Sequence, residues 1–193
     1  VGDVSGKGVP ASLTMAQLLA EFRLYARTLT SPSEVLAALN QQLVRRSRFG
    51  VFCTLCYVMV DLDTGAVRCA NAGHLAPMLV SSNAVEEFGQ PSGPPIGVLP
   101  ESPWIDEELT LEPGSFILLY TDGITEARGM HTRRDTGRIS DEYGLRNLCR
   151  VAQGFGRESP RAMVNGICVS VQEYTAPATP HDDCTLIAFR FGK

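Results

Sequence analysis

The sequence contains no apolar run approaching the ~20 residues that a membrane-spanning helix needs. It also lacks a basic block or Arg/Lys stripe: 17 basic against 21 acidic residues give a net charge of -4, so nucleic acid is not an expected partner. The one local concentration, Arg45-Arg46-Ser47-Arg48, falls at the expected end of a helix, where cations complement the helix dipole. A disulfide framework is missing too. Cys53, Cys56, Cys69, Cys149, Cys168 and Cys184 are scattered among apolar runs, where a reduced thiol behaves as a small hydrophobe. Cys53-x-x-Cys56 has the spacing of half a zinc site, but it lies in a strand-like segment. There a period of two turns positions i and i+3 to opposite faces, and no second pair exists. Of the three histidines, His131 and His181 have no partner at metal-ligand spacing. Internal repeats and a dividing linker are absent, so the 193 residues, 44% hydrophobic and 20% charged, read as one domain with a sizeable core. Val1 lies inside a strand-like segment with neither Met nor a signal peptide before it, so the chain is expected to be a piece of something longer.

Periodicity orders the elements. Val1 to Val4 ends a strand, and a glycine turn leads into a helix from about Pro10 to Arg27 with Leu13, Ala16, Ala20 and Leu24 as its apolar stripe. Ser31-Pro32-Ser33-Glu34 reads as a capping box opening a second helix, which turns Val35, Leu36, Leu39 and Leu43 inward. Val51 to Asp61 and Ala66 to Ala72 form a hairpin about Asp63-Thr64-Gly65. Leu75 to Val80 and Ala84 to Phe88 form another pair. A Pro/Gly-rich connection (90–100) precedes a strand over 105–111, and Phe116-Ile117-Leu118-Leu119-Tyr120 is a buried strand. The polar stretch 129–141 reads as a mobile loop. Helices follow near 143–152 and 160–174, and a last strand spans 184–191. Helices early and late with a β block between them favour antiparallel sheets flanked by helices over a βαβ wind.

Three short acidic turns stand at the ends of strand-like runs: Gly2-Asp3-Val4-Ser5-Gly6-Lys7-Gly8, Thr121-Asp122-Gly123 and Asp182-Asp183-Cys184-Thr185. Carboxylates gathered at strand ends repel one another unless a cation compensates, and Mg²⁺ and Mn²⁺ take oxygen ligands. The first turn is not a P-loop. That motif needs G-x-x-x-x-G-K followed by Ser or Thr, whereas Gly2 and Gly6 are one residue too close and Gly8 stands where the hydroxyl belongs. His74, in Asn71-Ala72-Gly73-His74, is expected to be a hydrogen-bonding residue of a turn between strands.

Together with Pro94-Pro95-Ile96-Gly97, these turns give five motifs in one order and spacing, over essentially the whole chain. That pattern resembles the bacterial metal-dependent protein phosphatases (PPM, type-2C-like), in the branch of stage II sporulation protein E and the stress-response regulator phosphatases. The resemblance implies an α+β fold, an α-β-β-α sandwich of two antiparallel sheets flanked by helices, here missing its first strands. It implies two Mn²⁺ or Mg²⁺ ions, with Asp3 bridging both, the Val4 carbonyl on one, Asp122 on the second, Asp182 as the final aspartate ligand, and Asp183 where relatives carry Asn or Asp. The reaction implied is hydrolysis of phosphoserine or phosphothreonine by a two-metal-activated water, without a phosphoenzyme. Two departures stand out. A Gly-Gly-Asp motif would lie before Val1, which predicts an incomplete metal site and an exposed strand edge. Ser5 stands where eukaryotic relatives carry the His proposed as general acid.

By analogy the substrate would be a phosphorylated signalling protein, an anti-sigma-factor antagonist. N-terminal sensor domains would complete the full-length protein, which would act in the cytoplasm, membrane-anchored only through those modules; a homodimer stays open. Two alternatives of other classes remain: a non-catalytic partner-switching module with the same fold, and a metallohydrolase of small phosphorylated molecules.

Overall fold

The structure is a computed structural model that describes residues 1–46, 50–133, 137–176 and 183–192, with the side chains of 130–141 outside the description. The chain divides into two compact units, one of Val1–Ala76 with Phe88–Leu111 and one of Pro77–Glu87 with Glu112–Lys193.

The first unit is a four-stranded antiparallel sheet, β1 (Gly2–Val4), β2 (Cys53–Val60), β3 (Ala66–Ala72) and β6 (Glu107–Thr110), in that spatial order, with α1 (Val9–Thr28) and α2 (Pro32–Arg46) on one face. The β2–β3 hairpin closes where Asp61 Oδ1 accepts the N–H groups of Asp63 and Thr64, each at 2.9 Å. Val35, Leu36, Leu39 and Leu43 of α2 are buried as their spacing predicts, each worth about 1.5–3 kcal/mol against exposure.

Two local expectations fail in this unit. Helix α1 faces the other way: Leu13 and Leu24 are 66% and 59% exposed and Ala16 and Ala20 also lie outward, while Ala11, Leu18, Phe22 and Tyr25 join the core. The helix carries two apolar stripes, and the one with the larger rings packs on the sheet, where Phe22 meets Tyr57 edge-to-face at 4.8 Å. The capping box at Ser31 does not form either. Asp106, far along the chain, accepts the Ser33 N–H (2.7 Å) and the Ser31 hydroxyl, so a tertiary carboxylate caps α2.

The second unit is a four-stranded antiparallel sheet in the order β10 (Leu186–Arg190), β7 (Phe116–Tyr120), β4 (Met78–Val80) and β5 (Val85–Glu87). Helices α4 (Gly144–Gly154) and α5 (Pro160–Thr175) pack Leu148, Ala152, Met163 and Ile167 against Met78, Val80, Phe116 and Leu118. β7 is an interior strand, and Ile117 on its opposite face is buried as well, which is why the segment reads as an unbroken apolar run.

The expected loop over 129–141 is instead a two-stranded ribbon, β8 (Arg128–Arg133) with β9 (Gly137–Glu142). Its ladder is made of backbone hydrogen bonds between polar segments, so no apolar alternation announces it. A short helix, α3 (Asp122–Thr125), also follows β7 where a simple turn is expected. The Cys53/Cys56 expectation agrees with the geometry. Cys53 faces the helix cluster, and Cys56 turns to the other face, its Sγ 3.6 Å from that of Cys69.

Candidate functional site

Asp3 is the middle residue of an edge strand. It pairs directly with Thr54, between Gly2 opposite Leu55 and Val4 opposite Cys53. Ladder bonds fall on the odd residues: Cys56 N–H donates to Val1 O and Ser5 N–H to Phe52 O, both at 2.8 Å. The main-chain groups of Gly2 and Val4 therefore point away from β2, off the sheet's edge. Val4 buries its side chain in the helix-covered core, so the alternation of the strand turns Asp3 to the other face, where it is exposed. Ser5 closes the ladder, its Oγ accepting the Phe52 N–H at 2.9 Å. The chain then turns through Gly6 (φ 91°) and Gly8 (φ 76°), conformations open to glycine, to enter α1. Burial, with the Asp3 carboxylate adding to it, pushes the Cys53 thiol up to about 12.

The second acidic group is assembled by the pairing of β10 with β7, in which Leu186 lies opposite Tyr120. Beyond that pair Thr121 N–H donates to Thr185 O (3.1 Å), Thr185 N–H donates to Thr121 Oγ1 (2.9 Å), and that hydroxyl donates to Asp183 O (3.3 Å). Gly123 is required where it stands: a Cβ there would lie 2.4 Å from Asp183 O. Cys184 Sγ donates to Gly123 O at 3.1 Å. The segments bearing Asp122 and Asp183 are thus lashed together, 61 residues apart in sequence, with Asp122 half-buried and Asp183 exposed. Asp182, and His181 before it, lie outside the described residues, as does the side chain of His131.

The Asn71–His74 turn is a third polar knot. Asn71 Nδ2 donates to His74 O (3.0 Å) and Gly89 O (2.8 Å), Asn71 Oδ1 accepts the His74 N–H (2.8 Å), and His74 Nδ1 shares a 2.9 Å hydrogen bond with Thr54 Oγ1. Sequence reasoning missed Thr54, which becomes visible only through the β1–β2 register. Among the described residues no three His, Cys, Asp or Glu side chains stand close enough together to hold a metal ion. The donors that the motifs supply are carboxylates and a carbonyl directed off a sheet edge. Such hard oxygen ligands fit Mg²⁺ or Mn²⁺ and do not fit a soft metal.

The family model described as Stage II sporulation protein E (SpoIIE) matches residues 1–192. Phosphoserine phosphatase RsbU of Bacillus subtilis (strain 168) is 27% identical over 194 residues, an alignment covering 98% of this chain and 54% of RsbU. The chain thus spans about half the length of that curated relative. Among solved structures, the SiaA-PP2C domain of Pseudomonas aeruginosa matches with a TM-score of 0.83 at 21% identity, over 98% of this chain and 74% of that one. The RsbU and RsbW domains of a Mycobacterium tuberculosis protein match with a TM-score of 0.75 at 25% identity, over 99% of this chain and 50% of that one. RsbX, solved in complex with magnesium, matches with a TM-score of 0.63 at 17% identity, over 97% and 77%. Two antiparallel sheets with helices are the fold these structures share with the chain.

Proposed function

This chain belongs to the stage II sporulation protein E (SpoIIE) family, as a PP2C-type phosphatase domain, and from that premise we propose that it removes phosphate from phosphoserine and phosphothreonine of a signalling protein. What supports the reading most is the joining of the Asp122 turn to the Asp183 segment by three hydrogen bonds through Thr121, a device that holds carboxylates at strand ends.

In this reading Asp3, the Val4 carbonyl, Asp122, Asp182 and Asp183 would hold two Mn²⁺ or Mg²⁺ ions. When bound, the ions supply Lewis acidity at the phosphoryl group and lower the pKa of water. The chain's own part is to orient the donors. β1 presents Asp3 by burying Val4, and the tether through Thr121 holds the main chain that carries Asp122 beside the main chain that carries Asp183. Dication use and partner switching are supported by relatives, since RsbX was solved in complex with magnesium and RsbU and RsbW domains occur in one M. tuberculosis protein. The substrate proposed is accordingly an anti-sigma-factor antagonist, presented to a cytoplasmic enzyme whose sensor modules lie elsewhere in the protein. No helix among the described residues is long and apolar enough to cross a membrane.

The test offers the full-length protein, with Mn²⁺, a phosphoseryl protein and p-nitrophenyl phosphate in parallel. Release of phosphate from the protein substrate is the expected result. Turnover of the small ester alone would make the chain a phosphatase of small molecules, and turnover of neither would make it a switch module.

A further inference from the structure

The Asn71–His74 turn has no part in the reading above, yet its polar groups are buried and committed. His74 is only 6% exposed. Its backbone is clamped at both ends by the Asn71 side chain, which a third bond ties to Gly89. A ring carried on so constrained a turn has a fixed Nδ1, and that atom meets the Thr54 hydroxyl at 2.9 Å. Thr54 stands directly opposite Asp3. Directly opposed residues of an antiparallel pair share a face with Cβ atoms about 4.5–5.5 Å apart. β1 is three residues long and pairs with β2 alone among the described residues.

Resting on the assignment of Asp3 as a metal ligand, we infer that His74 and Thr54 are positioning residues for it. His74 locks Thr54 into one rotamer, and the locked side chain restricts the directions in which the Asp3 carboxylate can point. The effect is to lower the freedom lost when Asp3 takes a cation, the role that outer partners play around ligating carboxylates.

The experiment measures Mn²⁺ binding by calorimetry on the full-length protein, recording the melting temperature of each metal-free variant beside it. Thr54→Val keeps volume and removes the hydroxyl, Thr54→Ser keeps the hydroxyl, and His74→Leu removes the ring nitrogen. Each single loss is expected to weaken Mn²⁺ binding about 10-fold. Thr54→Ser binds as the wild type does, and the Thr54→Val/His74→Leu double variant binds no more weakly than either single one. Should His74→Leu fail to fold, the Thr54→Val and Thr54→Ser pair carries the same comparison. Asp3→Asn separates the two levels of the argument. If it binds Mn²⁺ as tightly as the wild type, the ligand assignment itself falls and the inference with it. If it loses Mn²⁺ while Thr54→Val retains full affinity, or if the two losses multiply in the double variant, the positioning role is overturned and the ligand stands.

Discussion

Asp3 lies within a short edge strand and Asp122 just past the end of a longer interior one, and the two strands hold them differently. β7, which delivers Asp122, is an interior strand paired with β10 on one side and β4 on the other, and its side chains are largely buried. Past its end, Thr121 bonds both Thr185 and Asp183, so three hydrogen bonds hold the corner to the segment that precedes β10. Among the described residues, β1 has three residues, one strand neighbour and a single buried side chain, Val4. The lesson is that the acidic turns of one chain are not equally preformed. The Asp122 corner is set by the sheet itself, whereas the presentation of Asp3 depends on the residues around β1.

The comparison can be broken first at the better-held end. Asp122→Asn is expected to lower turnover at least ~100-fold, more than the loss of an outer partner, with an unchanged melting temperature, since the main-chain oxygen of Asp122 makes the local helix bonds. Support for β1 can then be removed. Leu18 shares the core cluster with Val4, so Leu18→Ala costs about 2–5 kcal/mol in denaturant unfolding. Leu13→Ala, on the outward stripe of the same helix, stays within about 0.5 kcal/mol. Equal costs would mean that α1 faces the other way. Thr121→Val strips the hydroxyl that joins Asp183 to Thr185 and is expected to cost about 1–3 kcal/mol.

The last effect concerns pH. Cys53 holds its proton in the folded state up to about 12, against 9.0 for an ordinary thiol, through burial and then the Asp3 charge. A raised pKa contributes stability that is complete below pH 9 and is lost as pH rises through about 12. The denaturation midpoint should therefore fall more steeply above pH 9 in the wild type than in Cys53→Ala. Asp3→Asn should make that fall smaller and end it at a lower pH, its onset near pH 9 unchanged; an unchanged curve would mean that the Asp3 charge does not reach the thiol.

Much of this was legible where sequence pattern and burial coincide. The α2 stripe, the β2–β3 hairpin and the apolar run of β7 each carry one unambiguous period. The face of α1 was not, because Leu13 and Leu24 match helical spacing as well as Leu18 and Phe22 do, and only the partner surface chooses between them. The cap from Asp106 and the bond between Thr54 and His74 join residues 75 or 73 and 20 positions apart, beyond any local rule. The polar β8–β9 ribbon had no hydrophobic signal to read. Of the site, the acidic turns could be named from their motifs. The joining of Asp122 to Asp183 came only with the β10–β7 register.

The central claim is that these carboxylates work through bound dications. It is tested most directly by stripping the full-length protein of metal with a chelator, then titrating Mn²⁺ back while phosphate release from a phosphoseryl protein is followed. The account predicts no release in the chelator and restored release as Mn²⁺ is added; undiminished release with the chelator present would contradict it.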